Sequence, residues 1–399
     1  MRKGKKGRIG ILTGGGDVPG LNPAIRAVTV RAIIEGYDVV GIRRGWAGLV
    51  DIVRDEKADN SGCCGPLDKD IVNHYARTGG TFLHSSRTRP SAVPLKDVPA
   101  HLRDKYTAEK NDLSDEVVAS LDFLGIDYLV PIGGDDTLSY GVELGHRGVP
   151  LVALPKTMDN DVPGTDYCIG FSTCVTRTVN VTNQLRTSAA SHERIMIVEV
   201  FGRYAGFTAL LPTIAGAAHR CLIPEWKFDV DKLTEILVED RNEHPDKYAV
   251  CLVSEGAMME GGEMLFKGAE TDQYGHAKLG GIGDQVSALV KERAPAHNQG
   301  RKIDMISMDL GYMVRSGDPD AIDSIVPMAY GNLAVDLILR GEHARMVALR
   351  NGRYDSVPID TVIASKKTVD VERFYDTERY RPTYASFELT PMLVLGAAS

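Results

Sequence analysis

Short apolar runs alternate with stretches of helical periodicity along most of the chain. Residues 8–12 predict a first strand, 21–34 a helix that stops at Gly36, and 39–42 a second strand. A strand, a glycine turn, a helix and a strand in this order make a βαβ unit. Further strands are predicted at 128–132, 149–154, 194–200, 248–254 and 303–310, and further helices at 115–124, 171–189, 281–292 and 319–339. The alternation predicts an α/β fold with one mostly parallel sheet or two.

Length and composition narrow the class of protein. At 399 residues the chain suits two domains, and its 43% hydrophobic and 25% charged residues are ordinary for a globular protein. The net charge of −8 argues against a nucleic-acid-binding protein. The basic start, residues 2–8, lacks the apolar stretch of a signal peptide, and no run approaches the about 18 apolar residues of a membrane span. Six cysteines in a chain of this size make no disulfide framework, so we expect a cytoplasmic protein.

Carboxylates follow two of the predicted strands. Gly133-Gly134-Asp135-Asp136-Thr137 comes directly after one of them, and Pro155-Lys156-Thr157-Met158-Asp159-Asn160-Asp161 comes after the next. Loops that leave the carboxyl ends of parallel strands carry the ligand sites of open α/β sheets. Four acidic groups and one lysine on two such loops suit Mg²⁺, a phosphoryl group and a base. The pattern therefore favours phosphoryl transfer, whose catalysis is mostly positioning and charge neutralisation.

Two other glycine-rich segments are candidates for phosphate contacts. Thr13-Gly14-Gly15-Gly16-Asp17 lies between the first strand and the first helix, where backbone N–H groups can face an anion. Residues 79–87 lead through small side chains to Arg87, whose guanidinium could reach a phosphate. Taken alone, the turn could be a tight turn without a ligand, and an arginine such as Arg87 is more often a surface residue.

Together these segments resemble the phosphofructokinase family from about residue 8 to about residue 340. The resemblance rests on motifs in the family's order: Gly-Gly-Asp-Val-Pro-Gly-Leu-Asn, Gly-Gly-Thr-Phe-Leu, Gly-Gly-Asp-Asp-Thr, Thr-Met-Asp-Asn-Asp, Ser-His-Glu-Arg, Phe-Gly-Arg and Gly-Tyr-Met-Val-Arg. It implies two Rossmann-like α/β domains with mostly parallel sheets. One domain, which would bind the phosphoryl donor and Mg²⁺, would comprise residues 1–156 and about 318–399. The other, at 157–317, would bind the sugar phosphate.

The resemblance also implies which residues carry the reaction, the phosphorylation of the 1-hydroxyl of fructose 6-phosphate. Asp159 looks like the general base that takes the proton of that hydroxyl, and Asp161 would support the base and the metal. Thr157 would hold the transferring phosphoryl oxygens, and Arg203 resembles a residue beside the sugar and the reacting group. Asp135 would bind Mg²⁺, which prefers hard oxygen ligands.

Further residues would hold the two substrates. Gly15 and Gly16 lie in the turn that would receive the transferring group; Gly16 would offer its N–H, and Arg87 would balance the developing charge. Glu255 would accept hydrogen bonds from sugar hydroxyls, and Arg194 would reach the sugar site of a neighbouring subunit, which implies a homodimer or homotetramer. The full set that matches the family's sugar site is Thr157, Asp159, Asp161, Arg194, Phe201, Gly202, Arg203, Glu255, Tyr312 and Arg315.

The phosphoryl donor depends on a few positions. ATP-dependent members of the family have glycine where this chain has Asp136 and Lys156, and a further glycine where it has Tyr140. A carboxylate at 136 would oppose the α-phosphate of a nucleotide, a tyrosine at 140 would obstruct the base, and a lysine at 156 would compensate pyrophosphate. Asp136 and Lys156 together resemble the signature of the pyrophosphate-dependent type, and Tyr312 agrees weakly with it. The alternative without a functional role is that Asp136 and Lys156 form a solvated ion pair on a loop.

The chain departs from the family pattern in two places. Ile306 stands where the family often has an arginine that grips the 6-phosphate, for which Arg301 or Lys302 would have to compensate, so sedoheptulose 7-phosphate is a second candidate acceptor. The effector pocket of regulated bacterial members keeps Arg26 but loses its other charged residues. Those positions hold Val30, His219, His244 and Asp246, so we expect little response to ADP or phosphoenolpyruvate.

Three other functions remain open beside the pyrophosphate-dependent kinase. The first is the ATP-dependent enzyme, which Asp136, Lys156 and Tyr140 oppose. The second is a non-catalytic regulatory subunit, which should have lost the base at Asp159. The third is a kinase of lipids or dinucleotides, and the Phe-Gly-Arg and Thr-Met-Asp-Asn-Asp motifs argue against it.

Overall fold

The computed structural model describes residues 6–264, 266–271, 277–384, 388 and 396. Most of the basic start, residues 2–5, lies outside this part of the chain. The chain forms two compact units. The first comprises Met1–Thr157, Val162–Gly170 and Ser316–Lys366, and the second Met158–Asp161, Phe171–Arg315 and Lys367–Ser399.

The strands within the described residues follow in chain order. They are β1 (Gly7–Thr13), β2 (Tyr37–Ile42), β3 (Cys64–Pro66), β4 (Val93–Pro94), β5 (Lys110–Asn111), β6 (Tyr128–Gly133), β7 (Val152–Pro155), β8 (Ile195–Val200), β9 (Arg220–Leu222), β10 (Ala249–Ser254), β11 (Phe266–Thr271), β12 (Ala277–Leu279), β13 (Met305–Asp309), β14 (Arg345–Arg350), β15 (Arg353–Pro358), β16 (Tyr375–Asp376) and β17 (Arg381–Pro382).

The α-helices of the same part of the chain alternate with these strands. They are α1 (Leu21–Ile34), α2 (Trp46–Val50), α3 (Lys69–His74), α4 (Ser114–Leu124), α5 (Asp135–His146), α6 (Phe171–Ser191), α7 (Phe207–Ile214), α8 (Val230–Glu243), α9 (Ile282–His297), α10 (Ile322–Leu339), α11 (Thr361–Ala364) and α12 (Val371–Phe374).

The sheet of the first unit has the order β15–β14–β7–β6–β1–β2–β3. Its central strands run parallel, and its edge strands β3 and β15 pair antiparallel with their neighbours. The chain leaves β1 towards β2 on one side, whereas β6 and β7 lie on the other side, so the strand order reverses between β1 and β6. Such a switch point leaves a crevice outside the carboxyl ends of the strands. The glycine turn after β1 and the acidic segment after β6 both lie there.

The second unit has a smaller sheet with the order β13–β8–β10–β9, which is parallel throughout. The strands β8, β10 and β13 therefore end at the same edge. Residues 201–203, 255–256 and 310–315 follow these three strand ends. Because all the strands of this sheet are parallel, one edge collects the loops that the sequence analysis assigned to the sugar phosphate. The predicted α/β class with mostly parallel sheets is confirmed.

Most predicted elements agree with the structure to within a few residues, and α1 has the predicted bounds. The segment from Gly133 to Thr137 differs, because helix α5 begins at Asp135 where a loop was predicted. The first turn of α5 holds two aspartates and a threonine. Apolar residues at helical spacing therefore begin only at Leu138, and the polar segment before it was interpreted as a loop. Helices α7 and α8 and strands β9, β14 and β15 were not predicted.

The C-terminal segment divides differently from the prediction. The sequence analysis assigned residues 318–399 to the first domain, but only Ser316–Lys366 belongs to the first unit, and Lys367–Ser399 belongs to the second. The backbone explains the difference, since the N–H of Cys221 at β9 donates to the carbonyl of Tyr380 at 2.8 Å. Of residues 385–399, only 388 and 396 lie in the described part of the chain.

Helix α10 is long and apolar enough to cross a membrane by length and composition alone, and no other described helix is. Half of that stretch is buried inside the protein, as expected of a core helix, so this is weak support for a membrane span. The helix packs against α1 at Gly331, where a Cβ atom would lie 2.6 Å from the Cβ of Ala27.

Glu116 on α4 holds together the irregular segments of the first unit. Its carboxylate is 3% exposed and accepts hydrogen bonds from Arg54 and Lys105, each at 2.5 Å, and from Tyr106 at 2.8 Å. Burial would raise the pKa of Glu116, but the hydrogen bonds from Lys105, Arg54 and Tyr106 outweigh it and lower the pKa from 4.5 to about 2. The ionised carboxylate therefore stabilises the fold above pH 4.5, and this contribution is lost as the pH falls towards 2.

Replacing Glu116 by glutamine is expected to lower the free energy of unfolding at neutral pH by about 3 kcal/mol. Denaturant unfolding of both proteins at several pH values measures this difference. The difference should shrink as the solution becomes acidic, because the wild-type carboxylate is then protonated. The exposed Glu109→Gln variant is the control and should match the wild type. A difference that does not depend on pH would contradict this account.

Candidate active site

The glycine turn after β1 is fixed by its neighbours in the first unit. Gly14 donates its N–H to the carbonyl of Ile132 at 3.0 Å, and a Cβ at Gly14 would lie 2.5 Å from Oγ1 of Thr137. Gly15 has a φ of 77°, which favours glycine, and its N–H donates to the carbonyl of Ser86 at 2.8 Å. The N–H of Gly15 is therefore engaged within the protein, and the prediction of a phosphate-facing donor rests on Gly16.

Lys156 brings a positive charge to this turn. The residue is 4% exposed, and its Nζ donates to the carbonyl of Gly16 at 2.6 Å. Its backbone N–H donates to the carbonyl of Gly133 at 2.8 Å, which fixes the residue at the end of β7. An ammonium group that is almost completely buried needs polar partners. One partner of Lys156 is the backbone carbonyl of Gly16 in the glycine turn after β1. Lys156 therefore lies beside the glycine turn, and its role toward the phosphoryl donor stays a prediction.

Asp135 and Asp136 occupy the first turn of α5, and both side chains are exposed. Their negative charges suit the N-terminus of a helix, which carries a partial positive charge. The next residue, Thr137, is buried, and a Cβ at Gly133 would lie 2.3 Å from its Cβ. Because Thr137 fits so closely against Gly14 and Gly133, it fixes the acidic turn beside the glycine turn.

The first turn of α5, with Asp135 and Asp136, is the predicted place for Mg²⁺. Exposed carboxylate oxygens at the switch point are the ligands that Mg²⁺ prefers, and Mg²⁺ is often bound by one or two carboxylates together with substrate phosphates. Among the described residues, no group of three or more His, Cys, Asp or Glu side chains could hold a metal by itself. Asp135 and its neighbour therefore fit a metal that arrives with phosphate.

Tyr140 lies one turn further along α5 and is 0% exposed. Its ring meets the ring of Trp46 edge to face, with centroids 4.9 Å apart, and Nε1 of Trp46 donates to the carbonyl of Thr137 at 3.3 Å. The two rings belong to a hydrophobic cluster that also contains Val93 and Leu102. The space at this position is therefore filled by packed side chains.

Arg87 is exposed and lies beside the glycine turn because the loop before it is attached there. The Oγ of Ser85 and the carbonyl of Ser86 both bond to Gly15. Asn22 fixes the start of the same loop, since its side-chain amide donates to Thr78 and its Oδ1 accepts from the N–H of Phe82 at 3.1 Å. The sequence analysis missed Asn22, although a buried polar residue in an apolar helix is a usable signal.

The predicted base lies in the second unit among other ionisable groups. One carboxylate oxygen of Asp159 is shielded from solvent. Burial raises the pKa of Asp159 well above its ordinary value of 3.8, and the charges of Asp161 and Glu255 raise it further, whereas Arg203 acts in the opposite direction. A carboxyl group with a raised pKa is more basic than an ordinary aspartate, as a general base should be. The structure thus brings together four residues that the sequence analysis assigned to the sugar-phosphate site.

The loops after β8 and β10 are held to one another by their backbones. Gly256 donates its N–H to the carbonyl of Gly202 at 3.1 Å, and Glu255 donates to the carbonyl of Val200 at 2.8 Å. A Cβ at Gly256 would lie 2.0 Å from the carbonyl oxygen of Arg203. Arg203 and Glu255 can be neighbours only because residue 256 has no side chain.

Gly256→Ala is expected to displace the loop that carries Arg203 and to reduce kcat/KM about tenfold or more, because misplacement of reacting groups by about 1 Å can have effects of that size. Steady-state kinetics of the purified variant measure it. Gly62→Ala is the matched control, since a Cβ at Gly62 would meet open space. Kinetics at the wild-type level in the Gly256 variant would contradict the proposed tight fit.

Arg315, Phe201 and Tyr312 form a second cluster at the edge where β8, β10 and β13 end. Its guanidinium lies 5.9 Å from the ring centroid of Phe201 and 5.3 Å from that of Tyr312. Arg315 is almost buried, whereas Tyr312 is 76% exposed. A guanidinium between two rings suits a phosphate that approaches from solvent.

Arg194 is separated from this cluster within the protomer. It precedes β8, whereas Phe201 follows the same six-residue strand, so the two ends are about 20 Å apart. The expected contribution of Arg194 to a neighbouring subunit remains a prediction. Ile306 lies inside β13 opposite Met196, and Arg301 and Lys302 precede this strand, so they lie at the sheet edge where β8 begins.

The positions of the family's effector pocket have other contacts here. Nε of Arg26 donates to Oδ1 of Asn73 at 2.8 Å. The rings of His219, His244 and Tyr248 contact one another with centroids 4.2 to 5.7 Å apart. Burial lowers the pKa of His219 below 6.5, which favours the neutral ring. An aromatic cluster of this kind provides little positive charge for a nucleotide phosphate.

Comparisons with known proteins agree with this fold. The family profile described as Phosphofructokinase matches residues 8–338. The chain is 37% identical to the ATP-dependent 6-phosphofructokinase 3 of Streptomyces coelicolor over 93% of this chain and 99% of that protein. It is 38% identical to the pyrophosphate--fructose 6-phosphate 1-phosphotransferase of the same organism over 91% of this chain and 96% of that protein. The protein therefore belongs to the phosphofructokinase family, as the motifs predicted.

A solved structure supports the fold alone. The pyrophosphate-dependent phosphofructokinase from Marinobacter aquaeolei superimposes with a TM-score of 0.71 at 20% identity, over 98% of this chain and 92% of that one. Both donor types occur among relatives of nearly equal similarity, so similarity leaves the phosphoryl donor open.

Proposed function

We propose that the protein transfers a phosphoryl group from pyrophosphate to the 1-hydroxyl of fructose 6-phosphate, giving orthophosphate and fructose 1,6-bisphosphate. The observation that carries this proposal is the buried Lys156, whose Nζ lies 2.6 Å from the carbonyl of Gly16. A compact ammonium group at the glycine turn compensates the charge of a small inorganic phosphate. The bond between the bridging oxygen and the transferred phosphorus breaks, and a bond from the sugar oxygen forms.

Asp136 supports pyrophosphate over ATP through charge. Its exposed carboxylate lies in the first turn of α5. The resemblance to ATP-dependent family members implies that a nucleotide would place its α-phosphate there. Two unit charges about 4 Å apart at an effective dielectric constant near 20 interact by roughly 4 kcal/mol. Even after a several-fold reduction by screening, this repulsion is large enough to reverse a donor preference.

The burial of Tyr140 supports the same donor through shape. Tyr140 and Trp46 fill the space beside α5 in which an adenine ring would need room. Pyrophosphate has no base and needs no such space. Charge and shape therefore favour the same donor by independent mechanisms.

The second unit supplies the acceptor chemistry. Asp159, whose pKa is raised by burial and by two neighbouring carboxylates, would take the proton of the 1-hydroxyl as the sugar oxygen attacks. Arg203 would neutralise charge beside the reacting group, and Arg315 with Tyr312 would bind the 6-phosphate. In the first unit, Thr157, Arg87 and the N–H of Gly16 would contact the transferring phosphoryl oxygens. Mg²⁺, bound through Asp135 together with the phosphates, would neutralise charge on the donor.

An ATP-dependent reaction is the second candidate, because a relative of nearly equal similarity carries that name. The variant Asp136→Gly tests whether the carboxylate of Asp136 determines which phosphoryl donor is used. We expect the variant to lose pyrophosphate selectivity against tripolyphosphate about tenfold, since the repulsion at a third phosphate disappears. ATP should remain a poor donor because Tyr140 still fills the space of the base.

Initial rates with pyrophosphate, tripolyphosphate and ATP measure this selectivity. Asp136→Asn is the matched variant that separates charge from size, since it keeps the size of the side chain and removes only its charge. If the wild type already used tripolyphosphate and ATP as well as pyrophosphate, Asp136 would have no role in donor choice.

A further inference from the structure

Glu225 connects two segments of the second unit that are distant in sequence. Oε1 and Oε2 of Glu225 accept the N–H of Gly206 at 3.0 and 3.1 Å, and Oε1 also accepts the N–H of Val369 at 2.8 Å. Burial raises the pKa of Glu225, and the backbone bonds to Val369 and Gly206 act in the opposite direction. One carboxylate therefore joins residues that are 163 positions apart along the chain.

The first of these segments is the loop that carries Arg203. Residues 201–206 connect β8 with α7, and Gly206 is the N-cap of that helix. A Cβ at Gly206 would lie 2.4 Å from the Cβ of Ile223 and 2.9 Å from Oε2 of Glu225. Gly256 holds the front of the loop at Gly202, and Glu225 holds its end at Gly206, so Arg203 lies between two fixed points.

The second segment is the C-terminal arm, residues 367–382, which has its own attachments to the same unit. The hydroxyl of Tyr375 donates to the carbonyl of Cys221 at 2.7 Å, and the hydroxyl of Tyr380 accepts the N–H of Asp229 at 2.9 Å. Arg220, paired with Asp240, donates to the carbonyl of Arg379 at 2.9 Å.

These attachments leave little freedom at the start of the arm. Val369, Tyr375 and Tyr380 are buried, and Nζ of Lys367 lies 5.4 Å from the ring centroid of Phe207, the first residue of α7. The arm is therefore a fixed support, and both Glu225 and Lys367 transmit its position to the end of the Arg203 loop.

We propose that the C-terminal arm positions Arg203 for the sugar phosphate, and that Glu225 is the positioning residue through which it acts. This inference rests on the proposed role of Arg203 at the reacting group. Glu225 itself touches backbone N–H groups, so its effect on the reaction comes through the loop. The donor residues Lys156, Asp136 and Gly16 belong to the first unit and have no part in this connection.

The test is a comparison of Michaelis constants for the two substrates in Glu225→Gln and Glu225→Ala. Glutamine keeps one acceptor oxygen, but its amide NH₂ group would face a backbone N–H. We therefore expect KM for the sugar phosphate to rise about tenfold in Glu225→Gln and further in Glu225→Ala, with a fall in kcat in both. KM for the phosphoryl donor should stay within about twofold. Glu378→Gln is the matched control, because it removes an exposed ion pair of the same arm with Lys232.

A second variant protects the test against misfolding. Val369→Pro leaves Glu225 in place and removes the N–H that joins it to the arm, together with the buried valine side chain, and Val369→Ala removes that side chain while keeping the N–H. A rise in sugar KM in the proline variant beyond that in the alanine variant would support the same connection. Wild-type constants for both substrates in the Glu225 variants and Val369→Pro, or equal changes for donor and sugar, would overturn the proposal. Each assay uses whichever donor the wild type accepts, so activity with ATP alone would contradict the proposed donor and leave this test intact.

Discussion

Replacing Asp159 by asparagine is expected to reduce kcat about a thousandfold, within the range of 10²- to 10⁴-fold typical of general bases. Asparagine has nearly the same shape but cannot accept the proton of the 1-hydroxyl. Substrate binding should change little, because Glu255, Arg203 and Arg315 remain. The loss should therefore appear in kcat much more than in KM.

The same substitution should stabilise the fold at neutral pH. The pKa of Asp159 is raised above 3.8 by burial and by Asp161 and Glu255, so its ionised form is less favourable in the folded protein than in the unfolded chain. This destabilisation is absent below pH 3.8, grows as the pH rises from 3.8 towards the raised pKa, and is complete above it. Asparagine carries no charge at any pH and removes it. An inactive variant with a higher Tm is thus the expected combination.

Steady-state rates and thermal unfolding between about pH 4 and pH 8 measure both effects. The wild-type kcat/KM should fall on acidification at a pH above the ordinary value for aspartate, and the Tm advantage of the variant should disappear in acid. Asp246→Asn, an exposed substitution in the same unit, is the control for both measurements. A variant that kept the wild-type kcat would show that another group takes the proton.

Lys156→Met is expected to reduce kcat/KM for pyrophosphate about a hundredfold, since removal of one preorganised positive contact at a reacting group has effects of 10²- to 10³-fold. Methionine fills a similar volume, so the end of β7 and the backbone bond to Gly133 should persist. Without the ammonium group, the carbonyl of Gly16 loses its partner and the phosphates lose a counter-charge.

Kinetics at varied pyrophosphate and fixed sugar phosphate measure the effect, and the reverse experiment shows whether it is confined to the donor. Lys96→Met, at an exposed position of the same unit, is the matched control. A variant that retained pyrophosphate activity at the wild-type level would contradict the assignment of Lys156 to the donor.

The sequence predicted the framework well because the strands of parallel sheets are short, apolar and bounded by glycine. Helix α1 has the predicted bounds since its apolar face is continuous and Gly36 follows it directly. Helix α5 was not predicted, because its polar first turn of Asp135, Asp136 and Thr137 was interpreted as a loop. The carboxylates that looked like loop residues are in fact held by a helix N-terminus.

The groups that bear the chemistry were easier to predict than those that hold them in place. Asp159, Glu255 and Arg203 were predicted for one sugar-phosphate site from distant parts of the sequence, and in the structure their charges interact. Asn22 and Glu225 were not predicted, because their roles consist of hydrogen bonds to backbone atoms far away in sequence. The asparagine in an apolar helix is a local signal for the first of them, whereas no local pattern encodes the contacts of Glu225, which only the tertiary fold reveals.

The most direct test of the account is the rate of fructose 6-phosphate phosphorylation with Mg²⁺ and either pyrophosphate or ATP as donor, measured on the wild-type protein. The account predicts rapid formation of fructose 1,6-bisphosphate with pyrophosphate and little with ATP, together with the reverse reaction when orthophosphate is supplied. Turnover with ATP and none with pyrophosphate would contradict it, because Asp136, Lys156 and Tyr140 could then not line the donor site in the way described.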